Sequence, residues 1–198
     1  LAARLARSSV FIIAADGGAN ICRKLGLKPN VIIGDLDSLK VSTRHFFSSS
    51  TIIQITRQDN TDLEKALDYS LARKIRRITI IAATGKRLDF TLGNLSVFWN
   101  YTSRKALQFV GDGWLAQPVG RSFIAKAALG TIVSLIPFGT CSGVTLRGLR
   151  YSLTNATMRI GEIGVSNVVV KSPFSVHVKK GNMLAVLSHK NILHAGNR

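Results

Sequence analysis

Long apolar runs are missing from this chain. None approaches the roughly 18 residues of a membrane-spanning helix, so no membrane partner is expected. Cysteine is nearly missing too. Cys22 and Cys141 stand far apart and lack the neighbours of a zinc site, so they read as free thiols in a reducing cytoplasm. No secretory cleavage pattern follows the opening residues, where Asp16 interrupts the apolar stretch. Internal repeats and low-complexity linkers are also absent. At 198 residues the chain is long enough for one large or two small domains.

Acid is scarce: 10 Asp and Glu stand against 27 Lys and Arg, a formal net charge of +17. The basic residues are scattered, and their densest cluster, Arg73-Lys74-Ile75-Arg76-Arg77, is one that the end of a helix favours. Without a basic tail, zinc-finger spacing or an RNP-like aromatic motif, no dedicated nucleic-acid partner is expected. A basic nucleic-acid-binding protein survives only as an alternative carried by charge.

The few acids fall mostly in four short polar stretches, each following an apolar run: Asp16-Gly17-Gly18-Ala19-Asn20, Gly34 to Ser38, Gln58 to Glu64, and Gly85 to Asp89. The second organises the rest. Val31-Ile32-Ile33 reads as a buried parallel strand that stops at Gly34 and presents Asp35 and Asp37 at its carboxyl end, where open α/β sheets bind ligands. Paired carboxylates there suit a hard cation such as Mg²⁺ shared with substrate phosphates. A lone D-x-D is also an ordinary acidic turn. Four acidic loops at strand ends favour the metal–phosphate reading.

Around that strand, Leu1 to Arg7 reads as a helix end and Val10 to Ala15 as a strand. The paired glycines after Asp16 let backbone N–H groups approach a phosphate, or simply make a turn into a helix over Ile21 to Leu25. A loop or short helix covers Leu39 to Phe47, and Thr51 to Thr56 is a strand. Thr61 and Glu64 have capping-box spacing, so a helix starts at Thr61 with Leu63, Ala66, Leu67 and Leu71 as its buried stripe. Ile78 to Ala83 is another strand, leading into a helix that runs to about Tyr101. Strands alternating with helices predict a parallel sheet. Arg87 suits a phosphate clamp, while Asp89 fits a metal, a ribose hydroxyl or Arg87 itself. From Lys105 onward the texture changes to short β-like runs: 106–110, 131–137, 144–147, 167–171, 175–178 and 183–188. These predict an antiparallel sandwich or barrel. The expected division is a mostly parallel α/β domain over 1–112 and an antiparallel β-sandwich over 113–198.

D-G-G-A-N, G-D-L-D-S, Q-D-N-T-D-L-E-K-A-L and T-G-K-R-L-D-F-T-L-G-N, in this order, resemble thiamine pyrophosphokinases. The second half agrees through Ser134-Leu135-Ile136-Pro137-Phe138-Gly139, Cys141-Ser142-Gly143-Val144-Thr145, Gly148-Leu149-Arg150-Tyr151-Ser152-Leu153 and Ser166-Asn167. The resemblance covers nearly the whole chain. It implies an α/β nucleotide domain, a β-sandwich thiamine domain and a homodimer. It also implies transfer of the pyrophosphate of ATP to the hydroxyethyl group of thiamine, with Mg²⁺, giving thiamine diphosphate and AMP.

By position, the resemblance makes Asp35, Asp37 and Asp62 the catalytic and metal carboxylates. It places Asp16, Gly17, Asn20, Gln58, Thr61, Lys65, Arg87, Asp89 and Asn94 in the nucleotide and phosphate shell. Tyr151 matches an aromatic position that stacks on thiamine, and Ser166 with Asn167 match a thiamine-side motif. From local sequence alone, a tyrosine filling the sandwich core remains open at 151. Three departures stand out. Lys86 occupies a position usually held by glycine, and Phe90 one that is often polar, commonly His. The chain also opens without the strand and glycine-containing loop usual before its first helix, so one sheet strand is expected to be missing. A catalytically impaired member of the same fold is therefore a second alternative.

Overall fold

The computed structural model describes residues 2–85, 87–102, 106–162 and 164–188. Lys86 and Lys105, singled out above, lie outside the described residues. The chain divides into two compact units, one of residues 1–78 and 82–106, the other of 79–81 and 107–198.

The first unit contains α1 (Ala2–Ser8), β1 (Ile13–Ala15), α2 (Gly18–Lys24), β2 (Val31–Gly34), α3 (Val41–Phe46), β3 (Thr51–Gln54), α4 (Asp62–Ala72) and α5 (Leu88–Thr102). Its sheet is parallel, in the order β1-β2-β3, with Ala15 opposite Ile33 and Ile33 opposite Ile53. All four residues of β2 are buried, because both faces of this central strand are covered. Ile32 packs with Ala14, Ala19, Leu39 and Phe47, whereas Val31 and Ile33 pack with Ala66. A strand buried on both faces reads as a continuous apolar run rather than an alternating one. That is why Val31-Ile32-Ile33 stands out in the sequence.

The capping box forms as its spacing predicts. Thr61 Oγ1 accepts from Glu64 N–H, while Glu64 Oε2 accepts from Thr61 N–H at 2.8 Å. The face that α4 buries differs from the expected stripe, however. It consists of Lys65, Ala66, Leu67 and Ser70, with Leu63 and Leu71 only half-buried.

The second unit is built on β strands: β5 (Ala106–Gly111), β6 (Trp114–Pro118), β7 (Ser122–Ala125), β8 (Ile132–Arg147), β9 (Leu153–Arg159), β10 (Asn167–Val168), β11 (Phe174–His177) and β12 (Lys180–Ser188). The main path runs β4-β5-β6-β12-β8-β11-β7, with β9 and β10 also on β8, where β4 is Arg77–Ile81. This corrects one expectation. The strand near Ile78 does not extend the parallel sheet; it joins the larger sheet beside β5. Another correction concerns 131–137 and 144–147, read as two separate runs, whereas Ile132–Arg147 forms one strand. Gly139 and Gly143 have φ of +91° and +64°, and the register with β9 shifts between Cys141 and Val144. Glycines in that conformation bend a strand without ending it. Along β8, Val133 to Ser142 pair with β12, then Thr145 to Arg147 pair with β11. The sheet thus curls around one core that includes Phe123, Leu135, Cys141, Val144, Phe174, Val176 and Leu187. Among the described residues, no helix is long and apolar enough to cross a membrane.

Candidate active site

The parallel register sets the site. With Ala15 opposite Ile33, Asp16 falls beside Gly34, and Asp16 N–H donates to the Ile33 carbonyl at 2.9 Å. Asp35 and Asp37 follow on the loop leaving β2. Ligand oxygens of Asp16, Asp35 and Asp37 all lie within 4.8 Å of one another. Asp16 and Leu36 turn the chain with left-handed φ of +41° and +69°.

The carboxylates differ in what surrounds them. Asp35 is tied from two sides: Oδ1 accepts from Asp37 N–H and Oδ2 from Gln58 Nε2, each at 3.2 Å. The Asp37 N–H, followed by Gln58, holds the Asp35 carboxyl below its usual range. Asp16 is only 6 % exposed, and its Oδ1 has no hydrogen-bond partner among the described residues. Burial pushes its carboxyl upward; Gly17 N–H and the Ser38 hydroxyl oppose the rise, and Asp62 and Asp37 add to it. A buried, unpartnered carboxylate oxygen beside two further carboxylates fits a hard divalent cation such as Mg²⁺, whose ligands are oxygens.

Asp62, in the first turn of α4, is engaged differently. Its Oδ1 accepts from Lys65 Nζ at 2.9 Å and from Asp35 N–H at 3.3 Å. Lys65 is buried at 3 % exposure, so its charge is matched within the fold. Gly34 permits this crowding, since a Cβ there would stand 2.9 Å from both Asp16 Cβ and Asp62 Oδ1.

The other residues expected near the nucleotide divide by what they touch. Asn20 crosslinks α2 to the acidic loop, donating to the Ser38 carbonyl at 2.8 Å and accepting from Lys40 N–H at 3.2 Å. Gly17 begins α2, and a Cβ there would come 3.2 Å from Ser38 Cβ. Thr61 is occupied by the cap of α4. On the exposed start of α5, Arg87 and Asp89 form a two-point ion pair, and the Arg87 guanidinium lies 4.2 Å over the Phe90 ring. The pairing holds the Asp89 carboxyl below its ordinary range. Asn94 donates to the Ala83 carbonyl, fixing α5 to the segment after β4. Three participants were not expected as site residues: Gly34, Ser38, which donates to Asp37 Oδ1 at 2.9 Å, and Gln54, which donates to the Asp35 carbonyl at 3.1 Å. Gly34 and Ser38 flank the two aspartates in sequence, which is the signal that could have named them.

In the second unit, the Tyr151 side chain is 65 % exposed, which overturns the core alternative for this residue. Ser166 is exposed with φ of +60°, and its N–H donates to Ser134 Oγ at 3.1 Å. Asn167 is 6 % exposed and bonded to the Tyr151 main chain.

The family model described as thiamin pyrophosphokinase, catalytic domain, matches residues 2–110, and the thiamin pyrophosphokinase vitamin B1 binding domain matches residues 122–183. Thiamine pyrophosphokinase 2 of Arabidopsis thaliana is 32 % identical over 195 residues, covering 83 % of this chain and 73 % of the relative. Thiamine pyrophosphokinase of Bacillus subtilis is 27 % identical over 184 residues, covering 89 % and 86 %. The solved thiamin pyrophosphokinase of Geobacillus thermodenitrificans superposes with a TM-score of 0.81 at 26 % identity, covering 91 % of this chain and 87 % of that one. With both family domains matched in order, the chain belongs to the thiamin pyrophosphokinase family.

Proposed function

We propose that this chain transfers the pyrophosphate group of ATP to the hydroxyethyl oxygen of thiamine, giving thiamine diphosphate and AMP. The observation that carries the reading is the Asp16–Asp35–Asp37 cluster, with its buried unpartnered oxygen at the carboxyl end of β2, in a chain of this family. Residues 1–112 would be the ATP- and metal-binding half and 113–198 the thiamine-binding β-sandwich.

In this reading the thiamine hydroxyl oxygen bonds to the β-phosphorus, and the bond from that phosphorus to the bridging oxygen of AMP breaks. The hydroxyl proton leaves to a carboxylate or to water. Asp16, Asp35 and Asp37 would hold Mg²⁺, which when bound supplies positive charge to the phosphate oxygens. Gln58 and the Asp37 N–H keep Asp35 ionised and aimed. Asp62 and Lys65 fix the β2 loop from α4, because Asp62 Oδ1 is already bonded to Lys65 and to the Asp35 main chain. Arg87, stacked on Phe90, offers its remaining donors to a phosphate. Tyr151 presents an exposed aromatic face to the cationic thiazolium and flat pyrimidine of thiamine.

Exposed apolar side chains around β10, Leu129, Ile132 and Val170, support a homodimer, and two free cysteines support a cytoplasmic setting. The direct test is purified protein with ATP, Mg²⁺ and thiamine, assayed for AMP and thiamine diphosphate. Asp16→Asn, Asp35→Asn and Asp37→Asn should each lower turnover by about 10²-fold or more, the scale of one lost electrostatic contact to a transition state. Glu162→Gln, which removes an exposed pairing with Arg159, should not. Near-parental turnover in all three variants at limiting Mg²⁺ would rule out the metal assignment.

A further inference from the structure

Asn167 carries polar groups at the edge of the second unit, yet its side chain is buried and bonded to the protein. Its Oδ1 accepts from Tyr151 N–H at 3.0 Å and from Val168 N–H at 2.9 Å, while its Nδ2 donates to the Tyr151 carbonyl at 2.8 Å. The partners fix the orientation of the amide. The reverse orientation would set the NH₂ group against two N–H donors. Both main-chain polar groups of Tyr151 are thus held by one side chain, in the way a neighbouring strand would hold them. The surrounding main chain continues the pattern. Arg150 N–H donates to the Val168 carbonyl at 2.9 Å, Val170 N–H donates to the Gly148 carbonyl at 2.9 Å, and Leu149 bridges Val169. Gly148 must be glycine for this approach, because at φ +76° a Cβ would meet the Lys171 carbonyl oxygen at 2.6 Å. The backbone of residue 151 is therefore fixed while its ring stands in solvent.

We propose that Asn167 is a positioning residue for Tyr151: it holds the main chain from which the ring projects toward thiamine and does not itself contact the substrate. The inference rests on the reading of Tyr151 as the thiamine-stacking residue. Physically, a ring that projects from a main chain already fixed loses less freedom on binding, so its stacking shows up as affinity. This also accounts for a side-chain amide on a two-residue strand spending three hydrogen bonds on its own fold.

The test is a double-mutant cycle on thiamine KM with ATP KM read alongside. Tyr151→Ala should raise thiamine KM by about 2- to 30-fold, the range of one cation–π contact. Asn167→Ala should raise it within the same range while leaving ATP KM unmoved, and should add nothing further in the Tyr151→Ala background. Asn167→Asp keeps both N–H bonds but turns an oxygen toward the Tyr151 carbonyl. It should give the same split, and it serves in the cycle if the alanine variant fails to fold. Additive effects would overturn the proposal, because Asn167 would then act on thiamine independently of Tyr151. An effect of Tyr151→Ala with none from either Asn167 variant would also overturn it, with the stacking role left standing. If Tyr151→Ala leaves thiamine KM unchanged, the stacking reading itself fails and the proposal falls with it.

Discussion

A methyl group at position 34 would have nowhere to go. It would press on Asp16 Cβ and Asp62 Oδ1, each 2.9 Å away, from a residue with φ of +154°. Gly34→Ala should therefore push apart the carboxylates on either side of β2. The stability cost should be about 1–3 kcal/mol, as for other overpacked sites. Affinity for Mn²⁺, used as a paramagnetic probe in place of Mg²⁺, should fall about 10-fold or more, as when supports of metal ligands are removed. Unchanged Mn²⁺ binding would show that the cluster does not depend on this close approach. The two aspartates after Gly34 were legible in the sequence because acids are few and these follow an apolar run. The burial of Lys65 was not legible, since a lysine on an amphipathic helix normally reads as solvated. The Asp62 carboxylate, brought beside it at 2.9 Å, together with the nearby charge of Asp35, makes that burial tolerable.

At the scale of the element, α4 delivers Asp62 and Lys65 from its first turn, so its start has to be fixed. The Thr61–Glu64 capping box does this, and T-x-x-E announces it in the sequence. Thr61→Ala should cost about 1 kcal/mol, as other N-cap replacements do. In calorimetry that corresponds to a melting point lower by about 2–4 °C. Thr61→Ser should restore both stability and turnover, because a hydroxyl is all the cap needs. Failure of serine to restore them would assign Thr61 a role beyond capping. Strands of the second unit were less legible, for a physical reason. β9 breaks the alternation of a half-buried strand, since exposed Thr154 and Asn155 stand together between half-buried Leu153 and Ala156 where the register with β8 shifts, while β6 and β7 are short and take β12 and β11, distant in sequence, as partners on one side. β4 was legible as a strand but not as a member of the larger sheet, because its apolar run does not say which neighbour it will pair with.

For the molecule as a whole, charge is the dominant feature. A chain of formal charge +17 keeps Asp16, Asp35, Asp37 and Asp62 gathered at one sheet edge. The basic surface attracts polyanions in general, whereas the gathered carboxylates repel a polyphosphate unless a divalent cation lies between them. Raising salt from about 50 to 200 mM should therefore lower kcat/KM for ATP more than kcat, because only encounter is screened. Over the same range, any retention on DNA should be lost without sequence preference. Sequence-selective retention at the higher salt would instead establish a nucleic-acid function.

The path of β8 has a consequence for the order in which a nascent chain can be finished on the ribosome. Ser122–Ala125 emerges early but must wait for Phe174–His177, and Trp114–Pro118, paired on one edge with β5, must wait on the other for Lys180–Ser188, which also closes on β8. Until that final strand is out, β6 and β7 lack partners that come later in the chain, and their edges remain open. Long-range pairings of this kind form slowly and expose strand edges to other chains meanwhile. The parallel sheet of the first unit carries no such debt to later residues, because β1, β2 and β3 follow one another closely and pair as they appear. Synthesis thus delivers the finished parallel sheet, with Asp16, Asp35 and Asp37 at its strand ends, well before the strand that completes the larger sheet.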